Sequence, residues 1–317
     1  MRTLGATGLP VSPLGLGLAA LGRPGYINLG HAGDVGDTDV EAMERHAHDV
    51  LDAAYEGGVR YFDAARSYGR AEAFLASWLG RRGLSRGDAT VGSKWGYTYT
   101  ADWRIDVEEH EVKDLSVSTL RRQLGETRAL IGEHLALYQI HSATIESGVL
   151  DDAAVREELA RLREDGVRVG LTATGPRQAA TIERALEVGG FDAVQATWNV
   201  HERSATSALA AAHEAGLGVI VKEALANGRL TARGDADGRL TAAAREHGTT
   251  PDALALAAVL AQPWVDVVLS GVATVETLRS NLAALDVVWD AQAAGALAPL
   301  AEPADEYWER RSELAWN

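Results

Sequence analysis

The stretch Val-Arg-Tyr-Phe-Asp-Ala-Ala-Arg-Ser-Tyr-Gly at residues 59–69 decides how this chain folds. It begins as a short apolar run, typical of a strand buried on both faces, and it leads into Asp63 and Tyr68. Two later runs lead into polar residues in the same way, one ending at Lys94 and one followed directly by His141. If the three runs are parallel strands of one barrel, these four side chains meet at the mouth where barrel enzymes carry their active sites.

Eight runs of this kind alternate with helical patterns along the chain. In one of the helical patterns, Val155, Leu159 and Leu162 recur at helical spacing, with charged residues on the opposite face. Eight strand–helix units predict an α/β fold of the (β/α)8 TIM barrel type. The strands are expected at 13–17, 59–63, 90–94, 135–140, 167–172, 192–196, 218–222 and 265–269.

A doubly wound open sheet is the alternative fold. It would be favoured by a Gly-x-Gly-x-x-Gly turn that follows the first strand and opens a helix. Gly15 and Gly17 begin such a pattern, but residue 20 is alanine. Pro24 and the glycines around it do not open a helix, so the barrel is preferred.

The remaining segments are expected at the ends of the predicted barrel. Residues 1–11 predict an N-terminal β-hairpin that plugs the barrel bottom, and residues 299–317 predict a C-terminal helix with a tail. No stretch rich in Pro, Gly or Ser divides the chain, so we expect a single domain over 1–317. Three long irregular stretches follow strands and are expected at the active face, namely 23–39, 95–115 and 226–238.

Charge and composition narrow the classes of function. The net charge of −15 and the pI near 5.0 make binding to nucleic acid or to an anionic membrane surface unexpected. The absence of cysteine excludes disulfides and thiolate chemistry. No apolar run approaches the ~18 residues of a membrane span, and the first residues do not resemble a signal peptide. We therefore expect a cytoplasmic monomer or small homo-oligomer that acts on a small molecule.

The four polar side chains suit transfer of a proton to a carbonyl oxygen. Tyrosine has an ordinary pKa near ~10, and a neighbouring ammonium such as that of Lys94 lowers it. Asp63 would hold Lys94 charged and in place, and His141 would orient and polarise the substrate oxygen. Each residue alone has an ordinary structural explanation, but their coincidence after three consecutive strands favours a catalytic role.

Several motifs resemble the aldo-keto reductase family over nearly the whole chain. They are the opening Arg-Thr-Leu-Gly-Ala-Thr-Gly-Leu-Pro-Val-Ser-Pro-Leu-Gly-Leu-Gly, Phe-Asp-x-Ala-x-x-Tyr-Gly at 62–69, Ser-Lys at 93–94, Leu-Tyr-Gln-Ile-His-Ser at 137–142, and Ser-Gly-x-x-x-x-x-x-Leu-x-x-Asn-Leu at 270–282. The resemblance implies an oxidoreductase with Tyr68 as general acid/base and Asp63, Lys94 and His141 as its partners. It also implies a nicotinamide dinucleotide and no metal.

The resemblance also implies a set of cofactor contacts. NADP(H) is expected from the habit of the family. NAD(H) stays possible, because Gly271, Ala273 and Thr277 stand where many members carry the Lys or Arg that grips the 2′-phosphate. The implied contacts are Ser142, Thr172, Gln195, Lys222, Leu225, Gly228, Arg229, Gly271, Thr277 and Asn281.

Evidence for the substrate is thinner. The sequence of residues 221–230 resembles the branch of the family that contains aldose and sugar-lactol dehydrogenases. We therefore expect the substrate to be an aldehyde, a ketone or a sugar lactol or lactone. The substrate pocket is expected to include Trp95, Tyr97, Trp198 and His201. Two other classes stay open: an NADP(H)-binding sensor subunit with little turnover, and a lyase or isomerase on an unrelated barrel.

Overall fold

The computed structural model describes residues 1–236 and 238–317 of the chain. Within them, eight parallel strands form a closed barrel in the order β3-β4-β5-β8-β9-β10-β11-β12, in which β12 pairs again with β3. This confirms the (β/α)8 prediction. The barrel strands are β3 (Leu14–Gly17), β4 (Tyr61–Asp63), β5 (Thr90–Trp95), β8 (Leu135–Ala143), β9 (Arg168–Ala173), β10 (Ala193–Thr197), β11 (Gly218–Lys222) and β12 (Val267–Ser270).

Helices surround the barrel and begin at residues that suit helix starts. Asp152 caps the helix that follows β8, accepting from the N–H groups of Ala154 and Val155, and Thr250 caps a helix whose first residue is Pro251. The α-helices are α1 (His31–Val35), α2 (Val40–Glu56), α3 (Ala71–Arg82), α4 (Val117–Ile131), α5 (Ala153–Glu164), α6 (Gln178–Val188), α7 (Thr206–Glu214), α8 (Arg239–Glu246), α9 (Pro251–Leu260), α10 (Val275–Leu282), α11 (Ala291–Leu297) and α12 (Ala304–Ser312).

The predicted N-terminal hairpin is present and lies against the barrel. Its strands β1 (Arg2–Thr3) and β2 (Pro10–Val11) pair antiparallel. Leu4 is fully buried in a cluster with barrel side chains such as Tyr61 and Ile220. Side chains alternate between the two faces of a strand, so neighbours of this cluster such as Phe62 belong instead to the main core under the helices. The hairpin therefore helps to fill the barrel interior from one end.

The carboxyl ends of the strands carry three further features. The stretch 23–39 contains the short α1, and the stretch 95–115 contains a hairpin of β6 (Tyr97–Tyr99) and β7 (Glu111–Lys113). The C-terminal α12 packs nearby through Tyr307, whose hydroxyl accepts from the Asn199 amide at 3.0 Å. None of the helices in 1–236 and 238–317 combines the length and apolar character that a membrane span requires.

Candidate active site

The structure brings the four predicted catalytic side chains together at the carboxyl ends of β4, β5 and β8. The Lys94 ammonium donates to the Asp63 carboxylate, and both side chains are almost fully buried. The same Nζ lies 3.3 Å from the Tyr68 hydroxyl and 3.0 Å from the Ala64 carbonyl oxygen. The ring of His141 meets that of Tyr68 edge to face, with 5.5 Å between centroids. A phenol, an ammonium and an imidazole thus surround one point.

Asp63 is fixed by neighbours that also point into the barrel. Its Oδ1 accepts from the Tyr61 hydroxyl at 3.1 Å, Gln139 Nε2 at 3.3 Å and Gln195 Nε2 at 3.2 Å. Gly92 makes room for this arrangement, since a Cβ there would lie 2.5 Å from the Tyr61 hydroxyl. These bonds leave the carboxylate no freedom to turn away from Lys94.

The pKa of Tyr68 is raised, whereas the sequence alone predicted that Lys94 would lower it. Burial, followed by the charge of Asp63, raises the pKa of Tyr68 well above its ordinary value, and the guanidinium of Arg23 offsets part of this rise. The expectation considered only the ammonium of Lys94, whereas the buried site also contains the carboxylate that neutralises it. Tyr68 therefore keeps its proton throughout the neutral range and is ready to act as an acid.

His141 is neutral in this environment. Burial, followed by the charges of Lys94 and Lys222, holds the pKa of His141 well below its ordinary value. Its Nδ1 lies 3.4 Å from the Ser67 hydroxyl, and its ring is 5.0 Å from that of Tyr97. A neutral imidazole of this kind can donate one N–H to a substrate oxygen without changing its charge.

A cavity of about 660 Å³ extends from the catalytic group to the segment that follows β12. Asp63, Tyr68 and His141 line one end of it, and the turn before α10 lines the other. The volume lies within the range of about 300–1,000 Å³ that small-molecule and cofactor sites occupy. Of the residues predicted for cofactor or substrate, the cavity is lined by Tyr97, Ser142, Gln195, Lys222, Leu225, Gly228, Gly271 and Thr277.

Three residues expected to contact the cofactor lie behind the cavity wall. Thr172 is buried and its hydroxyl accepts from the N–H of Ser142 at 2.7 Å. Arg229 pairs with Glu302. Asn281 is fully buried, and with its amide oriented to satisfy both ends it donates to Asp252 at 2.8 Å and accepts from Ser270 at 2.9 Å. In this structure these residues support the wall and do not form its surface.

Three residues expected in the substrate pocket also lie elsewhere. Trp95 is fully buried in the main core, and Trp198 packs there against Trp264, with 5.6 Å between ring centroids. The ring of His201 donates from Nδ1 to the Leu300 carbonyl oxygen at 2.8 Å, beside Glu302. Trp95 and Trp198 directly follow inward-facing residues, so strand alternation turns them outward.

Lys222 and Glu223 form a charged cluster at the end of β11. Burial, followed by the charges of Arg311 and Lys94, lowers the pKa of Lys222 to about 8, and its Nζ donates to the Thr197 hydroxyl at 2.9 Å. Arg311, in α12, donates to Glu223 Oε1 from Nη2 at 2.6 Å and from Nε at 3.1 Å. The C-terminal helix α12 therefore forms part of the cavity wall. The sequence predicted a helix and a tail in this region, but not their contact with the cavity.

Sequence reasoning also missed Arg23 and Glu111, which line the cavity beside Tyr68. Arg23 Nη1 donates to Glu111 at 2.9 Å and to the Ser67 carbonyl oxygen at 3.1 Å. The signal that could have found Arg23 is a lone arginine directly after an apolar, glycine-rich strand end. Glu111 carries no such signal, because it lies far away in sequence.

A closed barrel with these four polar side chains at its mouth and a cavity beside them has the architecture of a barrel enzyme. The model of the aldo/keto reductase family matches residues 13–302, and the chain belongs to that family. The predictions of family, fold and enzyme class are thus confirmed.

Individual relatives agree with this assignment. The chain is 26% identical to the uncharacterized oxidoreductase YrpG of Bacillus subtilis, over 90% of this chain and 91% of that protein. It is 26% identical to L-galactose dehydrogenase of Arabidopsis thaliana, over 90% of this chain and 88% of that protein. The holo form of aldo-keto reductase AKR11C1 from Bacillus halodurans has the same fold, with a TM-score of 0.74, 23% identity and 96% coverage of both chains.

Proposed function

We propose that this protein interconverts a carbonyl group and an alcohol with a nicotinamide dinucleotide, with Tyr68 as the general acid/base. The observation that carries the proposal is the 3.3 Å contact between the Tyr68 hydroxyl and Lys94 Nζ, beside a cavity of about 660 Å³. Family membership supports the same reaction class.

Each member of the tetrad has a separate task. In reduction, the Tyr68 O–H donates its proton to the carbonyl oxygen as that oxygen gains negative charge. Lys94 stabilises the phenolate left behind, and Asp63 keeps Lys94 in place. The neutral His141 donates to the same oxygen and fixes its position. The residues of this cavity would hold a nicotinamide whose chemistry is to supply a hydride for reduction and to take one up in the reverse direction.

The residues along the cavity fit a dinucleotide. Gln195 and Ser142 offer an amide and a hydroxyl near the catalytic end, where Lys222 is also present. At the far end, the cavity wall includes Gly271 and Thr277, in the turn and first residues of α10. Backbone near a helix start, with a small residue before it, suits the close approach of an adenosine ribose. We assign the cofactor to these residues and to Leu225 and Gly228.

The far end favours NAD(H) over the NADP(H) that the family resemblance implies. Asp252 and Glu276 line it, and a carboxylate accepts from a ribose 2′-hydroxyl but repels a 2′-phosphate. The nearest cavity-lining cation in the described residues, Arg233, already forms two bonds to Asp34, at 2.6 and 2.7 Å. Among the cavity-lining residues that the structure describes, none therefore offers a free guanidinium at this end to a phosphate.

Fluorescence titration with NADH and NADPH tests the nucleotide preference. We expect NADH to bind at least ~10-fold more tightly, since a 2′-phosphate beside Asp252 and Glu276 would lack a cationic partner, at a cost of more than about 1.4 kcal/mol. Thr277→Arg should narrow or reverse the ratio, whereas Arg279→Gln should leave it unchanged, because Arg279 does not line the cavity. Tighter binding of NADPH to the unaltered protein would overturn the assignment.

Turnover of simple aldehydes tests the reaction. The protein is mixed with NADH or NADPH and a panel of aldehydes, ketones and aldoses, and both nucleotide oxidation and alcohol formation are measured. We expect the two to be stoichiometric. An aldose is included because L-galactose dehydrogenase is among the relatives. Nucleotide binding without turnover of any carbonyl would contradict the proposed function.

A further inference from the structure

We propose that Arg23, Glu111 and Trp316 form a subsite that binds vicinal hydroxyl groups of a neutral, polyhydroxylated carbonyl substrate. The inference rests on the proposed function, because it assigns the part of the cavity next to the reacting carbonyl. It narrows the substrate class to small aldoses and related hydroxy-carbonyl compounds.

Arg23 is a buried cation with unused hydrogen-bonding capacity. Its side chain is only 3% exposed, yet it lines the cavity. Nη1 is satisfied by Glu111 and by the Ser67 carbonyl oxygen, whereas Nη2 makes no hydrogen bond within the described residues. Because Arg23 lines the cavity, a ligand hydroxyl that accepts from Nη2 would gain a hydrogen bond to a charged donor.

Glu111 supplies the complementary acceptor. It lies on β7, which the hairpin with β6 holds over the cavity. Its Oε2 accepts from Arg23, and Oε1 makes no hydrogen bond within the described residues. A donor on the arginine and an acceptor on the carboxylate therefore lie side by side. Two adjacent hydroxyl groups satisfy both, because each hydroxyl can accept and donate.

Aromatic rings complete the subsite. The Arg23 guanidinium carbon lies 4.6 Å from the centroid of a Trp316 ring and 5.1 Å from that of Tyr26. Trp316 is held in place by His110, whose ring stacks on it at 3.9 Å with an interplanar angle of 6°. Because Arg23 and His110 cover the faces of the Trp316 ring, its edge and the cavity-lining Tyr26 give the apolar surface for the C–H groups of a polyol, and the charged pair binds its hydroxyl groups.

The charges of the pair select against other substrates. Because Arg23 is neutralised by Glu111, the subsite offers no net positive charge to a substrate carboxylate. An unsubstituted aldehyde would fill the space but leave the Arg23 Nη2 and the Glu111 Oε1 without partners. Sites built to bind a hydroxyl discriminate strongly against an analogue that lacks it. The pair thus favours a neutral polyol over an acid or an alkyl chain.

Arg23 lies where the substrate carbons next to the reacting carbonyl are expected to bind. Its guanidinium carbon is 5.4 Å from the centroid of the Tyr68 ring. A carbonyl oxygen bonded to the Tyr68 hydroxyl would therefore bring the next two carbon atoms of the substrate beside the guanidinium. The hydroxyl groups on those carbons are the ones that the subsite is expected to bind.

Two matched pairs of aldehydes test the subsite. Glyceraldehyde is compared with propanal, which has the same carbon skeleton without hydroxyls, and 4-oxobutanoate is compared with butanal. We expect kcat/KM for glyceraldehyde to exceed that for propanal by about 10- to 100-fold, the range of one or two hydrogen bonds to charged groups. We expect no preference for 4-oxobutanoate over butanal.

Glu111→Gln gives the sharper test, because it leaves Arg23 without its counter-charge. This variant should lose at least ~10-fold in the glyceraldehyde-to-propanal ratio and gain a similar factor in the 4-oxobutanoate-to-butanal ratio. Glu109→Gln removes the same charge from an exposed position of the same loop and should leave both ratios within ~2-fold. Thermal unfolding of both variants separates a change of specificity from a loss of folding.

The outcomes distinguish the subsite from the reaction. Equal turnover of glyceraldehyde and propanal, or Glu111→Gln ratios that match those of Glu109→Gln, would overturn the subsite while the carbonyl reaction stands. Failure of all four aldehydes to react with either nucleotide would instead overturn the proposed function.

Discussion

Arg311→Met should destabilise the protein, because the Arg311 guanidinium in α12 is the main counter-charge of the buried Glu223 carboxylate. Burial raises the pKa of Glu223, but Arg311 and Lys222 outweigh it and lower that pKa to about 2, from an ordinary value of 4.5. At 1.36 kcal/mol per unit, this shift stabilises the folded state by about 3 kcal/mol at neutral pH. Without Arg311, the largest remaining influence on Glu223 is burial.

The loss has a defined pH dependence. A carboxyl whose folded-state pKa is depressed contributes its full stability above the unfolded value of 4.5 and loses it as pH falls toward 2. The difference between the unaltered protein and Arg311→Met should therefore be largest at pH 7 and should shrink below pH 4.5. At pH 7 we expect a decrease in Tm of about 4–5 °C, from ~2.1 cal/mol/K of unfolding entropy per residue.

Thermal unfolding followed by circular dichroism at pH 7 and pH 4 measures both effects. Arg310→Met is the matched control, because Arg310 is 52% exposed and its mostly buried partner Glu302 keeps a second counter-charge in Arg229. Adding Glu223→Gln to Arg311→Met should restore part of the loss, because it removes the unpaired charge. Equal unfolding of the Arg310 and Arg311 variants, with no change between the two pH values, would refute the reasoning.

A pH profile and the substitution Gly22→Ala probe the catalytic end, and Gly125→Ala serves as a control in α4. Because the pKa of Tyr68 is raised and that of His141 is lowered, kcat/KM for carbonyl reduction should be flat from pH 5.5 to pH 7, below the pKa of about 8 of the cavity-lining Lys222, and a titration near 6.5 in that profile would argue against the neutral imidazole. Gly22→Ala should reduce both stability and turnover, since its Cβ would lie 2.2 Å from the Tyr68 carbonyl oxygen. Gly125→Ala, in α4 with no atom within 4 Å, should instead stabilise by about 0.5–1 kcal/mol; unfolding curves and turnover of both variants check the contrast.

The barrel and its tetrad could be predicted from sequence because the relevant signals are local. Each barrel strand is a short apolar run, and parallel strands in a barrel place their carboxyl ends at one mouth. Asp63, Lys94 and His141 each lie at or directly after such an end, so their meeting follows from topology alone. The observed strands differ from the predicted ones by one to three residues at most ends.

The substrate pocket was harder to predict, partly because alternation along the strands was not applied. Lys94 faces the barrel interior, so Trp95 has to face the helices, and the same argument holds for Trp198 after Thr197. The aromatic side chain that does reach the cavity from the end of the chain is Trp316. Its position depends on the folded tail, which no local pattern specifies.

Long-range pairs set the rest of the site. Arg23 and Glu111 are 88 residues apart in sequence, as are Glu223 and Arg311. Neither glutamate differs locally from a surface residue, and only the fold reveals that each is the counter-charge of an arginine that lines the cavity. The direction of the Tyr68 pKa shift depends on the same fact, because it is set by burial and by charges from several segments.

Single-turnover reduction by Tyr68→Phe tests the central claim most directly. The substitution removes the one oxygen from which the substrate is proposed to take its proton and keeps the ring that packs against His141. We expect the rate of the hydride step to fall by about 10²–10⁴ while the Kd for the nucleotide stays within ~2-fold of the unaltered protein. A variant that reduces its aldehyde at the original rate would contradict the account.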